Sequence, residues 1–135
     1  MRTKTLKYMI LVFLLISCTS DKELLEQYEK AMDKHESGDY IGAVRGYTEI
    51  IEIDPEYEKV TYFRAIAKAS LGDNVGALAD YDKAIEIDPE FALAYRFRGV
   101  CKINLGDKEE GCLDLSKAGE LGSDEAYETI KKNCD

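Results

Sequence analysis

The sequence predicts an all-α solenoid of three helix-turn-helix repeats closed by a C-terminal helix, and three observations carry that expectation. Residues 38–57 and 72–91 share eleven of twenty positions, ending in Ile51-Glu52-Ile53-Asp54-Pro55-Glu56 and Ile85-Glu86-Ile87-Asp88-Pro89-Glu90. A weaker third copy keeps Gly106-Asp107, Gly111, Leu115 and Ala118 at the same offsets, so the period is 34 throughout. Within each unit the apolar positions fall at helical spacing, as in Ala43, Tyr47, Ile50, Ile51 and Ala77, Tyr81, Ala84, Ile85, and no useful length alternates with period two.

At the N-terminus Arg2, Lys4 and Lys7 precede an apolar run from Tyr8 to Ile16, the n-region and h-region of a secretory signal. The run is about half of the roughly 20 residues that span a bilayer. Leu15-Ile16-Ser17-Cys18 resembles the lipobox of bacterial lipoproteins, which implies that residues 1–17 are removed and that Cys18 is lipidated and heads the mature chain. Residues 18–20 are then a short tether. Ser20-Asp21-Lys22-Glu23 reads as a capping box that starts a helix two residues after the Cys. Thr19 stands where Asp would retain an enterobacterial lipoprotein in the inner membrane, so the resemblance implies an outer-membrane location. Loss of Arg2, Lys4 and Lys7 leaves 15 basic against 27 acidic side chains, a balance of −12 in place of −9.

The repeats occupy about residues 24–57, 58–91 and 92–122 of a domain spanning 21–135. Their punctuation fits paired helices. Gly38-Asp39, Gly72-Asp73 and Gly106-Asp107 supply a glycine able to close one helix in the left-handed conformation and an Asp to cap the next. Asp54 and Asp88 are expected to be N-caps, with Pro55 and Pro89 at the first helical position. After the third unit, Ser123 is expected to N-cap a helix over 123–134 whose inward stripe is Ala126, Ile130 and Cys134 and whose polar face is Glu128, Lys131 and Lys132. Solenoids need such a cap to cover the last apolar face.

The 34-residue period, the small residues at the helix crossing (Ala43, Ala77 and Gly111), the large residue four later (Tyr47, Tyr81 and Leu115) and the Asp-Pro end resemble the tetratricopeptide repeat family. Ala31, Ala65 and Gly99 are the matching small residues of the first helices. Repeat one departs from the pattern: Gln27, Lys30 and Lys34 stand where the family usually has apolar or aromatic residues. That helix is expected to be imperfectly packed, or covered by the membrane or by another protein.

With Cys18 assigned to lipid, Cys101, Cys112 and Cys134 remain in a compartment where disulfides persist. Cys112 lies ten residues before the Gly122 turn and Cys134 twelve after it, nearly level on antiparallel helices; Cys101 and Cys112 also match across the Gly106 turn. Facing favours Cys112 with Cys134, since Cys112 aligns with apolar Val44 and Leu78 whereas Cys101 aligns with Asp33 and Ala67. Three reduced thiols are the alternative.

The acidic balance removes an electrostatic case for nucleic acid. His35 is the single histidine, and no nucleophile, calcium-loop or phosphate-cradle pattern accompanies it. The expectation is therefore a non-catalytic module with no cofactor, no metal and no small-molecule substrate, attached to the membrane through its lipid and binding a protein or peptide. A structural or self-associating subunit of an envelope assembly is the alternative, and an enzyme the third reading. By resemblance, ligand contacts come from the first helix of each repeat, at positions matching Tyr28, Met32, His35, Lys59, Tyr62, Ile66, Arg96, Val100 and Asn104. The family's clamp for a C-terminal carboxylate needs Lys and Asn where Tyr28 and Met32 stand, so chaperone-tail binding is not implied.

Overall fold

The computed structural model describes residues 21–134. The expected Cys18 lipid site, Ser20 cap and signal segment lie outside the described residues. Seven helices follow one another: α1 (residues 21–36), α2 (Tyr40–Ile53), α3 (Glu58–Ser70), α4 (Asn74–Ile87), α5 (Ala92–Asn104), α6 (Lys108–Glu120) and α7 (Asp124–Asn133). They pack as three antiparallel pairs, α1 with α2, α3 with α4 and α5 with α6, each stacked on the next, and α7 covers the last.

Two kinds of turn alternate, and they use aspartate differently. At the tight turn within each pair Gly38, Gly72 and Gly106 adopt φ of +82°, +82° and +93°, which only glycine takes without strain. The following Asp then serves both helices. The amide of Asp73 donates to the Lys68 carbonyl at 2.9 Å, closing α3, while its side chain accepts from the Gly76 amide at 2.9 Å, opening α4. Asp39 and Asp107 repeat the arrangement with Gly42 and Glu110. Gly122 at φ +95° closes α6 in the same way, although Ser123 makes no side-chain cap bond to α7.

The Asp-Pro junction differs from its expected reading as a helix start. Asp54 and Asp88 are instead the C-caps of α2 and α4, their amides donating to Ile50 and Ala84. Their carboxylates accept from the amides of Glu56 and Glu90, and their carbonyls from those of Tyr57 and Phe91, an Asx turn with proline at its second position. The next helix begins three residues after the proline. Packing explains the delay. Tyr57 and Phe91 leave the helical path with ψ of 86° and 83°, and their rings turn inward against Tyr28 at 6.1 Å and Tyr62 at 4.9 Å.

The core is built at the crossings. Tyr47, Tyr81 and Leu115 are fully buried at the same offset in the three repeats, and Ala43, Ala65, Ala77, Ala84, Ala94 and Ala118 let the helices approach around them. In repeat three both crossing residues are glycine. A methyl on Gly99 would stand 2.7 Å from the Gly111 carbonyl oxygen, and one on Gly111 would stand 2.6 Å from that of Gly99.

The terminal helix buries Ala126 and lays the Tyr127 ring against Gly119. Cys112 of α6 and Cys134 are joined in a disulfide, with Cα atoms 5.9 Å apart across 22 residues. Closing a loop of that length contributes about 3 kcal/mol in the chain-entropy model. Cys101 is turned the other way, buried against α4 with its thiol 3.3 Å from the Asn74 carbonyl.

Gly99→Ala is expected to lower stability by about 1–3 kcal/mol, because overpacking against a backbone carbonyl outweighs the helix-propensity gain of roughly 1 kcal/mol. Urea unfolding checks the sign; a gain in stability would contradict the close approach of α5 and α6.

Candidate protein-binding face

The first helices of the repeats, α1, α3 and α5, carry the positions expected to meet a ligand, and they divide into three groups. Tyr28, Met32, His35, Ile66, Arg96 and Val100 are half-buried, while Lys59 and Asn104 are exposed. Tyr62 requires a correction. It is 5% exposed and packs among Phe63, Tyr81, Phe91 and Phe97, so it belongs to the core and offers no open contact. Its hydroxyl is correspondingly pushed up to about 12 by burial, opposed by the Arg96 charge.

What joins the helices across this face is a chain of rings. Tyr28 lies 6.4 Å from Phe63, Phe63 5.2 Å from Tyr62 and Tyr62 5.9 Å from Phe97, over which the Arg96 guanidinium sits at 4.5 Å. Phe63 and Phe97, which continue the chain from α3 to α5, are absent from the positions expected from the sequence, yet they stand one period of 34 apart. The Nε of Arg96 is buried without a hydrogen-bond partner. Its cation is thus held by a ring face and not by a carboxylate.

Around the α1 end of this face, the Tyr47 hydroxyl donates to the Met32 sulfur at 3.1 Å and lies 3.4 Å from His35 Nδ1. His35 packs edge-on against Tyr40 and Phe63. Burial holds the imidazole below its ordinary value of 6.5, opposed by Glu36. Neither this ring nor the Cys101 thiol, which burial and Asp73 push up, is arranged as a nucleophile or base. Among the described residues no group of three His, Cys, Asp or Glu side chains is placed to hold a metal ion, and no helix is long and apolar enough to cross a membrane.

Away from the rings lies a buried ionic ladder. Asp80 and Asp114 are 5% and 6% exposed. Arg64 grips Asp80 with two bonds of 2.8 and 2.7 Å, and Lys68 adds a third contact at 2.8 Å. One repeat later Arg98 and Lys102 treat Asp114 identically, at 2.8, 2.7 and 2.9 Å. Each arginine also reaches back to the preceding repeat, Arg64 to the Thr48 hydroxyl at 3.2 Å and Arg98 to Asp82 at 2.7 Å. The hydrogen bond to Asp114, with that to Asp82, pushes Arg98 up, so its guanidinium stays charged. The repeating signal was present in the sequence as an Arg-to-Asp spacing of 16 residues.

Solved structures place this architecture. The first TPR of Spaghetti (RPAP3) bound to the HSP90 peptide SRMEEVD is similar with a TM-score of 0.79 at 26% identity, over 84% of this chain and 91% of that one. The Arabidopsis OM64 TPR domain gives 0.78 at 26%, over 81% and 92%. The TPR2B domain of yeast Sti1 in its pHsp70 complex gives 0.72 at 27%, over 82% and 89%. No family model and no curated protein sequence matches the chain. The described residues therefore have the tetratricopeptide-repeat fold, three helix pairs and a terminal helix.

Two outcomes follow for stability. Asp114→Ala leaves Arg98 and Lys102 without their carboxylate and is expected to cost about 2–4 kcal/mol in urea unfolding, whereas Lys30→Ala, which loses a solvent-exposed pair with Glu26, should leave the midpoint unchanged. For His35, the unfolded chain takes up a proton below about pH 6.5 that the folded ring resists, so acidification to about pH 5.5 removes stability. His35→Gln is expected to show a smaller fall of the urea midpoint between neutral pH and that point; an equal fall would show that the ring titrates freely.

Proposed function

We propose that the chain is a non-catalytic protein-interaction module of the bacterial cell envelope, lipidated on Cys18, held on the outer membrane and engaging a protein or peptide segment along α1, α3 and α5. The observation that carries this reading is the distribution of charge and apolar surface. The buried charges are committed to one another in the ladder, while Tyr28, Met32, Ile66, Val100 and the ring-held Arg96 stay half-exposed along the first helices. A surface of that kind recognises shape and apolar side chains, with one cation for orientation.

The similar domain bound to the peptide SRMEEVD takes an acidic partner. This chain is itself strongly acidic and has Tyr28 and Met32 where the resemblance would need Lys and Asn, so like-charge repulsion works against such a tail. The partner class favoured here is an apolar segment, extended or helical, carrying an acidic group to meet Arg96. The lipobox-like Leu15-Ile16-Ser17-Cys18 supports the anchor, and Thr19 supports the outer-membrane location.

Affinity capture after cross-linking in intact membranes tests the face. A partner recovered with the native chain is expected to be lost at least about tenfold with Ile66→Asp and with Arg96→Ala, as central contacts of an interface require, and retained with Lys59→Ala at the rim. Equal recovery with all three would place the binding surface elsewhere. The anchor is read separately: Cys18→Ser should move the protein from the membrane to the soluble fraction, and continued membrane association would remove the lipidation from the reading.

A further inference from the structure

Beside the first helix pair lies a cleft of about 270 Å³ lined by Asp21, Leu24, Leu25, Tyr28 and Tyr57. Helical geometry puts Asp21, Leu24, Leu25 and Tyr28 on one side of α1, and Glu23, Glu26 and Lys30 on the opposite side. Leu25 is 56% exposed, and the Tyr28 and Tyr57 rings lie 6.1 Å apart, nearly parallel, at the edge of the solenoid. The apolar side of α1 thus continues outward beyond the ring chain and ends in two tyrosines and two leucines.

The position of this cleft in the chain selects its occupant. Asp21 lies three positions after Cys18, a reach of about 10 Å at full extension. Once Cys18 carries lipid, the cleft cannot leave the neighbourhood of the bilayer surface. Leucine and tyrosine suit that depth, where an amphipathic face buries about 5–10 Å into the headgroup and acyl boundary and tyrosine keeps its hydroxyl wet. The strong negative charge of the chain would repel anionic headgroups, so contact must be made where the helix turns its outer carboxylates away; this side of α1 does so for Glu23 and Glu26 and keeps one carboxylate, Asp21, at the end nearest Cys18 in the chain, where it can stay at headgroup depth.

Resting on the lipidation of Cys18 proposed above, we propose that the cleft is a membrane-docking surface which seats Leu25, Tyr28 and Tyr57 in the bilayer that holds the anchor. The first repeat then lies against the membrane and the solenoid projects from it, with α7 at the far end. The lipid adds attachment; the cleft adds orientation.

The chain has no tryptophan, so single indoles report cleanly. Full-length protein bearing Leu25→Trp, or Leu113→Trp on the exposed face of α6 as reference, would be purified with its lipid and placed in phosphatidylcholine vesicles containing brominated acyl chains. Both sites are solvent-exposed, and circular dichroism of each variant checks that the helices are retained. Docking is expected to quench the indole at position 25 by about twofold or more and to shift its emission to shorter wavelength, with position 113 unchanged, since bromine acts only at acyl depth. With Cys18 shown by mass spectrometry to carry lipid, equal emission at both positions overturns the docking and leaves the anchor intact. Shielding of position 25 from aqueous acrylamide without bromine quenching also overturns it, in favour of a protein occupant. An unmodified Cys18 overturns anchor and docking together.

Discussion

A carboxylate buried between helices obliges the chain to bring cations to it, and the placement of those cations fixes the solenoid. Asp80 and Asp114 sit inside the second helices of repeats two and three with little access to water, where an unpaired charge would cost several kcal/mol. A bidentate guanidinium satisfies the carboxylate only in one plane and at one register. Arg64 therefore sets α3 on α4, and its remaining nitrogen, bonded to Thr48, sets α3 on α2. Arg98 does the same for α6 and α4 through Asp114 and Asp82. The apolar crossings at Tyr47, Tyr81 and Leu115 supply burial, but alanine and glycine surfaces tolerate sliding. The ladder removes that freedom, so its contribution is geometry more than net stability.

The ladder has ends, and the ends are built differently. In repeat one the position of the buried Asp is Gly46, and Lys30 and Lys34 stand at the places of Arg64 and Lys68. Among the described residues no ion pair joins α1 to another helix; it is held by Ala31 in the core and by contacts of Tyr28, Met32 and His35 with Tyr47, Tyr57 and Phe63. At the other end the link between α6 and α7 has three residues where that between α4 and α5 has four. Counting from the helix starts, Ile130 and Cys134 then fall at the places of Arg98 and Lys102. Cys134 meets Cys112 there, so a covalent tie stands where the inner repeats use ions.

Local chemistry was legible in the sequence where one residue sufficed to decide it. Gly38-Asp39 and its copies could be read because positive φ and N-capping are properties of those residues at those places. Asp54-Pro55 was misread because Asp before Pro suits both a helix start and an Asx turn; the choice belongs to Tyr57 and Phe91, whose rings find partners only if the helix waits. The burial of Asp80 and Asp114 is not legible in the sequence, since charge spaced along one helix carries no mark of the neighbour that buries it. Tyr62 was placed in the groove for the same reason: its position in α3 is a groove position, but Phe91 at the end of its own repeat and Phe97 of the next close over it. Asp33 made the Cys101 position look tolerant of charge, because repeat one has no preceding repeat to bury it.

These contrasts locate the adaptable part of the molecule. Repeats two and three are each fixed internally by a buried ion pair and joined to one another through Arg98 and Asp82, and in repeat three by backbone contact between Gly99 and Gly111 as well. Rings and a methionine accept small displacements that a bidentate ion pair does not, because dispersion falls gradually with distance and a thioether has several rotamers of similar energy. The surface left for recognition, running from Tyr28 and Met32 toward Arg96, is therefore soft at its α1 end and rigid at its α5 end. A ligand lying along the proposed face would be oriented by the fixed guanidinium over Phe97 and accommodated by the aromatic packing of repeat one. The same aromatic end carries the cleft nearest Cys18, so that in a lipid-anchored chain the part of the face best able to adjust is the part nearest the membrane.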